Sequence, residues 1–488
     1  MAACAAVAFL SLLVQVRGLV GERGILPAEL YLERVRAHFD DETLAAFARL
    51  PGVHWLVGAG DTALIAMCIL GILASLLVVA RVLPGPLLLV CYVLYLSLCH
   101  CGQVFLGYQW DMLLCEALLA AALLSPWGLR PGFTNAPARL PLLVVVALAA
   151  RLDFGSALSK LASHDVTWRS LTALTFHYET QPLPTPLGWL VYHLPAPIHV
   201  VTCALMFAIQ LGAPPLLLVP WRRVRHAAVL ALALLQIGIA LTGNYAFFNA
   251  LTIILALAAV DDDAFVALTD RVALFIPRAL KRDALDRPRA VEEAPASTSR
   301  ARLLAVSALA LSWLPLGVCA EIDRLTREPM PEPIATLMDA VAPFQIAGGY
   351  GLFATMTTAR DEINVECTVD GTTWLPIVFA HKPGDVDELP GFVAPHQPRL
   401  DWQMWFAALG TAQHNPWLVH FLDRLLEREP TVLALIDNMP CGDDVVAVRA
   451  QRYRYRIAPL ASPHKWTHEF VGPYAVRTKT GDRHQSPP

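Results

Sequence analysis

Apolar residues fall along the chain in blocks of about 17 to 25, the length a helix needs to cross a bilayer at 1.5 Å per residue. The blocks predict membrane-spanning helices at 2–20, 61–82, 85–101, 110–126, 139–159, 197–220, 226–242, 245–260 and 302–320. Segment 2–20 has no basic start or small-residue cleavage site and carries Gln15 and Arg17 late, so it reads as an uncleaved helix, not a signal peptide. Beyond Glu321 the period changes. Ile363 to Val369 alternates, Asp370-Gly371 supplies a turn, and Trp374 to Phe379 returns as a second strand. Trp402 to Leu409 and Trp417 to Leu426 repeat apolar residues at helical spacing, and Ala447 to Ile457 alternates with Arg449, Arg452, Arg454 and Arg456 interleaved.

The predicted fold is therefore an all-α polytopic membrane bundle of about nine transmembrane helices, followed by a soluble α+β C-terminal domain. Domain boundaries follow from the same changes of pattern. Residues 1–260 form the multi-span domain, 261–301 a charged, Pro- and Ala-rich linker, 302–320 the last span, 321–476 the α+β domain and 477–488 a polar tail.

Composition agrees with a membrane solvent: of 488 residues 56% are hydrophobic and only 16% charged, which is too apolar for a soluble multidomain chain. A formal net charge of -4 gives no bulk attraction to nucleic acid. Charge placement matters more. Arg222, Arg223 and Arg225, and the loop from Arg271 to Arg302 with Arg278, Lys281, Arg282, Arg287 and Arg289, mark cytoplasmic loops by the positive-inside rule. Carried through nine spans, that puts loops 21–60 and 160–196 and the C-terminal domain on the non-cytoplasmic side.

Charged side chains inside apolar spans are costly and so face the bundle interior and pair. Asp111, Glu116, Arg151, Asp153 and Lys160 are of this kind, and helical rise places Glu116 and Arg151 at similar depth. They form either a structural ion pair or part of a functional polar cavity. Gln103, Trp110, Gln236, Asn244 and Asn249 complete a polar layer at the same end.

The densest loop, 160–196, carries Asp165, Trp168, Arg169, His177, Tyr178, Glu179 and Gln181, then Pro182, Pro184 and Pro186, and is expected to be rigid and non-helical. It suits capture of an extended client, an acid–base pair of His177 with Glu179, or an interfacial aromatic belt. No G-x-S-x-G, H-E-x-x-H, G-x-x-x-x-G-K-[ST] or G-x-G-x-x-G accompanies it. Cys99-x-Cys101 lacks a second cluster at ligand spacing, so no metal site and no cofactor is expected. Most of the ten Cys lie in apolar segments; Cys367 and Cys441 alone share the soluble domain, which allows one disulfide there.

Several of these segments resemble the lipase maturation factor family. They are Arg23-Gly24-Ile25-Leu26-Pro27-Ala28, Gly102 to Leu106 with Gln109-Trp110-Asp111, and Ser159-Lys160-Leu161 through Thr167-Trp168-Arg169 to His177–Pro186. Gly243-Asn244-Tyr245 with Phe247-Phe248-Asn249, Pro383-Gly384-Asp385, and the run Ala394 to Gly410 containing Arg399, Asp401 and Trp402 complete the set. The resemblance implies a chaperone-like protein of the endoplasmic reticulum membrane whose lumenal parts help secreted homodimeric lipases fold and assemble. Loop 160–196 and Arg399 to Phe406 are then the client-contacting surface. The preference for Arg over Lys and the abundant Ala fit a bacterial member, which would sit in the cytoplasmic membrane. The hairpin Val365 to Phe379 also resembles those of discoidin-type β-sandwiches, implying a sandwich-like sheet. The alternative is a membrane enzyme acting on a lipid or lipid-linked substrate at the outer leaflet, with Lys160, His177 and Glu179 beside a cavity lined by Glu116 and Arg151.

Overall fold

A computed structural model describes residues 1–131, 139–264 and 300–479. Most of the expected linker therefore lies outside the described residues. The N-terminal part is helical: α1 (Ala2–Leu13), α2 (Asp61–Val79), α3 (Pro84–Cys101), α4 (Gln109–Leu124), α5 (Arg139–Ala162), α6 (Ala196–Leu216), α7 (Arg222–Thr242), α8 (Phe248–Leu257) and α9 (Arg300–Thr326). Neighbours in sequence pack together along α1–α2–α3–α4 and α6–α7–α8, while α5 packs against α6, α8 and α9. Small residues set the closest approaches: a Cβ on Gly71 would collide with the Phe9 ring, and one on Gly317 with the Arg151 guanidinium.

The expected count of nine spans is not supported. Among the described residues six helices are long and apolar enough to cross a membrane: α2, α3, α5, α6, α7 and the Val306–Thr326 part of α9. The other three apolar segments form shorter helices, two of them for identifiable reasons. After α1 the Gln15 side chain leaves the helix to donate to the carbonyls of Ser11 (2.6 Å) and Gln397 (2.7 Å), and the chain restarts as Val16–Val20. α8 has 10 residues, about 15 Å of rise, because Asn244 and its neighbours are held as a loop by hydrogen bonds. α4 has 16 residues. The Arg222–Arg225 cluster, expected in a loop, opens α7 instead, where Arg225 bonds Asp261 at 2.7 Å.

The C-terminal region is built on a four-stranded antiparallel sheet in the order β2-β1-β3-β4, with β1 (Arg360–Thr368), β2 (Leu375–Pro376), β3 (Ala447–Ile457) and β4 (Trp466–Thr478). Gly371, at φ 76°, takes the left-handed turn between β1 and β2. Helices α10 (Arg399–Ala408) and α11 (Pro416–Leu426) pack on the sheet, α11 through buried Trp417, Leu418, Phe421, Leu422 and Leu425. The sandwich-like expectation is thus corrected: among the described residues there is one sheet, covered by helices and not by a second sheet. A disulfide joins Cys367 of β1 to Cys441, and β4 continues to Thr478, past the expected start of the tail.

Candidate functional site

Polar side chains that hydropathy would leave stranded in the bundle meet partners from the C-terminal region, all at one end of the helices. Asp111, in the first turn of α4, is bonded by both terminal nitrogens of Arg399, at 2.9 Å and 2.7 Å. Arg399 also donates to the Phe105 carbonyl (2.6 Å), and the Tyr95 hydroxyl donates to Asp111 (2.5 Å). Both charged side chains are 1% exposed or less, so this is a fully desolvated bidentate pair. Around it Tyr108 stacks on Trp110 at 4.6 Å, and Trp402 packs edge-on against Trp110 at 4.7 Å.

A second cluster fastens the Pro-rich loop. Arg360, at the start of β1, donates to the carbonyls of Glu179 (2.8 Å), Gln181 (2.5 Å) and Pro182 (2.9 Å), and to Glu362 Oε1 (2.5 Å). Lys382 Nζ lies 3.1 Å from the other Glu362 oxygen. These carbonyls are free to accept because the prolines and the turn at Gln181 end the local helix. Nearby, Asn244 accepts from the backbone of Val393 (2.8 Å) and Ala394 (3.1 Å) and donates to Gly391 (2.9 Å).

Glu116 forms the third cluster. It pairs with Arg151 and accepts from Trp313 Nε1 (3.0 Å) and the Tyr350 hydroxyl (2.6 Å). The polar layer expected from the sequence therefore divides: Asp111 goes to Arg399, Glu116 to Arg151 and Tyr350, and Asp153 to Gln236 (3.1 Å), which in turn accepts from Asn249 (2.8 Å). Gln103 donates to the Leu26 carbonyl at 3.0 Å.

Loop 160–196 is not free of helix, as its prolines had suggested. Short helices occupy Val166–Arg169, Leu174–Thr180 and Pro186–Tyr192, with Asp165 and Thr185 as N-caps and Pro186 in the first turn, where proline is tolerated. His177 and Glu179 do not form the acid–base pair that was considered. His177 Nε2 lies 3.0 Å from the Tyr245 hydroxyl, which donates to Gln181 (2.9 Å), while Glu179 accepts from the backbone of Ile457 (3.3 Å). Burial, with Lys160 adding to it, pushes the His177 pKa down to about 4.

As a surface for a client the expected set is largely covered. Trp168, Tyr178, Gln181, Arg399, Asp401 and Trp402 are buried; Asp165 and Glu179 are half-buried, and Arg169 is exposed. Asp165 receives the Met356 amide (2.9 Å), Trp168 donates to the Phe353 carbonyl (2.9 Å), and Asp401 receives the amides of His381 (3.0 Å) and Lys382 (2.9 Å). Asp165 and Trp168 thus hold the two regions together, while Asp401 braces the C-terminal region itself. Arg360, Tyr350 and Tyr95 belong to the same junction and were missed, since each acts on a partner far away in sequence, and Glu362 was missed with the Arg360 that it holds.

Beneath the junction lies a cavity of about 770 Å³. Lys160, Asp153, His177, Gln210 and Gln236 contribute polar walls and α6 and α7 apolar ones, with Tyr350 to Phe353 as the roof. Glu116 and Arg151, expected in such a wall, are not part of it.

Comparisons with known proteins cover both regions. A family profile described as the lipase maturation factor transmembrane domain matches residues 1–267, and one described as the lipase maturation factor C-terminal domain matches residues 346–476. The chain is 32% identical to lipase maturation factor 2 of Homo sapiens, over 97% of this chain and 81% of that protein. It is 33% identical to lipase maturation factor 2 of Gallus gallus, over 99% and 80%. Against lipase maturation factor 1 of Bos taurus it is 29% identical over 96% and 85%. No solved structure matches significantly.

Proposed function

We infer that this chain, which belongs to the lipase maturation factor family, is an integral membrane factor that helps secreted lipases reach their active form. The observation that carries this reading is the presence of both family regions on one chain, locked together by the buried Arg399–Asp111 pair. The factor then works as one body, with its C-terminal region resting on the ends of the membrane helices. Arg222, Arg223 and Arg225 lie at the other end of α7, which supports a non-cytoplasmic C-terminal region. That side is the endoplasmic reticulum lumen in a eukaryote, or the outer face of the cytoplasmic membrane in a bacterium. Client contact falls to groups still exposed beside the junction, such as Val166 (75%), Arg169 and Phe406 (41%).

The test expresses the full chain with a secreted lipase in cells lacking other maturation factors and measures lipase activity per mass of secreted enzyme. A rise with the parent chain, lost in Asp111→Asn, is the expected result. Unchanged specific activity with a correctly inserted chain would overturn the reading.

A further inference from the structure

We propose that the cavity beneath the junction binds one acyl chain with an anionic head, entering sideways from the membrane between α6 and α7 with its head at Lys160. At about 770 Å³ the cavity has the size of a site for one small ligand. Its rim is apolar and outward-facing: Ile198 (45% exposed) and Leu205 (57%) on α6, and Leu234 (58%) on α7. Both helices are long and apolar enough to be membrane spans, so this rim faces hydrocarbon and not water. The walls follow α7 from Ala231 to Thr242, about 16 Å at helical rise, a depth suited to a chain and not to a compact solute.

The head position comes from charge. Lys160 is 5% exposed, donates to the Ser156 hydroxyl (2.8 Å) and carbonyl (3.1 Å), and lies 5.4 Å from the Trp168 ring. Among the described residues it forms no ion pair; the Asp153 carboxylate acts on it only at longer range, and with two hydrogen bonds to Ser156 the ammonium keeps a donor for an anion. Asp153 does not fill that role: on the same helix face it lies about two turns deeper and accepts from Gln236. Three other cavity-lining atoms are buried without a hydrogen-bond partner: His177 Nδ1, Gln210 Oε1 and Asp153 Oδ2. All are acceptors, the first because Tyr245 donates to Gln181 and so takes the His177 Nε2 proton. They suit hydroxyls of a head, leaving Lys160 to hold the anion. Acyl chain plus anion describes an anionic phospholipid or a fatty acid. The site asks for binding alone and is independent of the maturation reading.

The experiment places the full chain in lipid nanodiscs with three probes that carry the same photoreactive acyl chain: a fatty acid, phosphatidylglycerol and phosphatidylcholine. Labelled peptides are mapped by mass spectrometry. Labels are expected on α6 and α7 around Leu205 and Leu234 for one or both anionic probes, and which of the two labels names the source. Gly238→Trp should abolish them, since Gly238 lines the cavity and a Cβ there meets nothing within 4 Å, which leaves open space for a bulky side chain. Leu205→Trp repeats the block from α6 if Gly238→Trp fails to fold. Lys160→Met should lower anionic labelling about tenfold and leave phosphatidylcholine labelling unchanged. Labelling spread equally over the outside of α2, and indifferent to both tryptophans, would overturn the proposal.

Discussion

Asp111→Asn tests the junction most directly, because it removes one charge and almost no volume. Arg399 is then left with its guanidinium 1% exposed and its bidentate carboxylate gone, keeping the Phe105 carbonyl and the Tyr95 hydroxyl as acceptors. Breaking a buried pair from one side costs about 3–5 kcal/mol, since the remaining charge stays desolvated. Arg399→Met breaks it from the other side and leaves Asp111 with Tyr95. Both single variants should lose several kcal/mol of stability in a denaturant titration of the detergent-solubilised chain. The double variant should lose less than the sum of the two, by about 1–3 kcal/mol, because the pair has gone as a unit. Single-variant losses within about 0.5 kcal/mol of the parent, the scale of an ordinary surface change, would refute the reasoning.

Arg360→Lys should act like a loss, not a conservative change, because one ammonium cannot reach the carbonyls of Glu179, Gln181 and Pro182 and also Glu362. Faster hydrogen exchange in segment 178–184 is the expected readout. Two histidines set a pH limit. Burial holds His177 and His396 at about 4, helped by Lys160 for the first and by His381 and Arg399 for the second. A group with a lowered folded pKa binds fewer protons when folded, so its contribution is complete above about pH 6.5 and is lost as pH falls from there towards 4. At pH 5 the loss is about 2 kcal/mol for the buried His177 and smaller for His396, which water partly screens, and a thermal-stability profile in His396→Gln should be flatter than the parent's between pH 7 and about 5.

Local and near-local features were legible in the sequence. Depth arithmetic along two helices brought Glu116 and Arg151 together, and Asp370-Gly371 between alternating runs marked the β1–β2 hairpin. Hydropathy located every apolar segment but could not measure the helices in them. Gln15 and the loop at Asn244 stop the helix for the sake of hydrogen bonds to residues 397 and 391–394, and a sliding average has no means of seeing a partner there. The dense loop stood out in the sequence, but most of its side chains are covered in the fold, with Val166 and Arg169 among those left exposed. Its aromatic and polar side chains looked like a binding face because nothing nearby could satisfy them; Trp168 and Gln181 are satisfied by Phe353 and Tyr245.

The same distance explains why the two regions depend on one another unequally. Parted from the bundle, Arg360 and Arg399 would meet water and lose little. Glu116 would keep Arg151 and Trp313, which belong to the helices themselves. Asp111 is different: within the bundle its side chain has Tyr95, and its cation arrives 288 residues later. Membrane helices form as the chain is made, N-terminal first, so Asp111 must wait at the helix end without its cation until Arg399 docks. Closing that pair also brings α10 and Trp402 onto Trp110 and buries the charges. Docking of the C-terminal region is thus the step that completes the membrane part, and a change that weakens Arg399–Asp111 should impair both regions together.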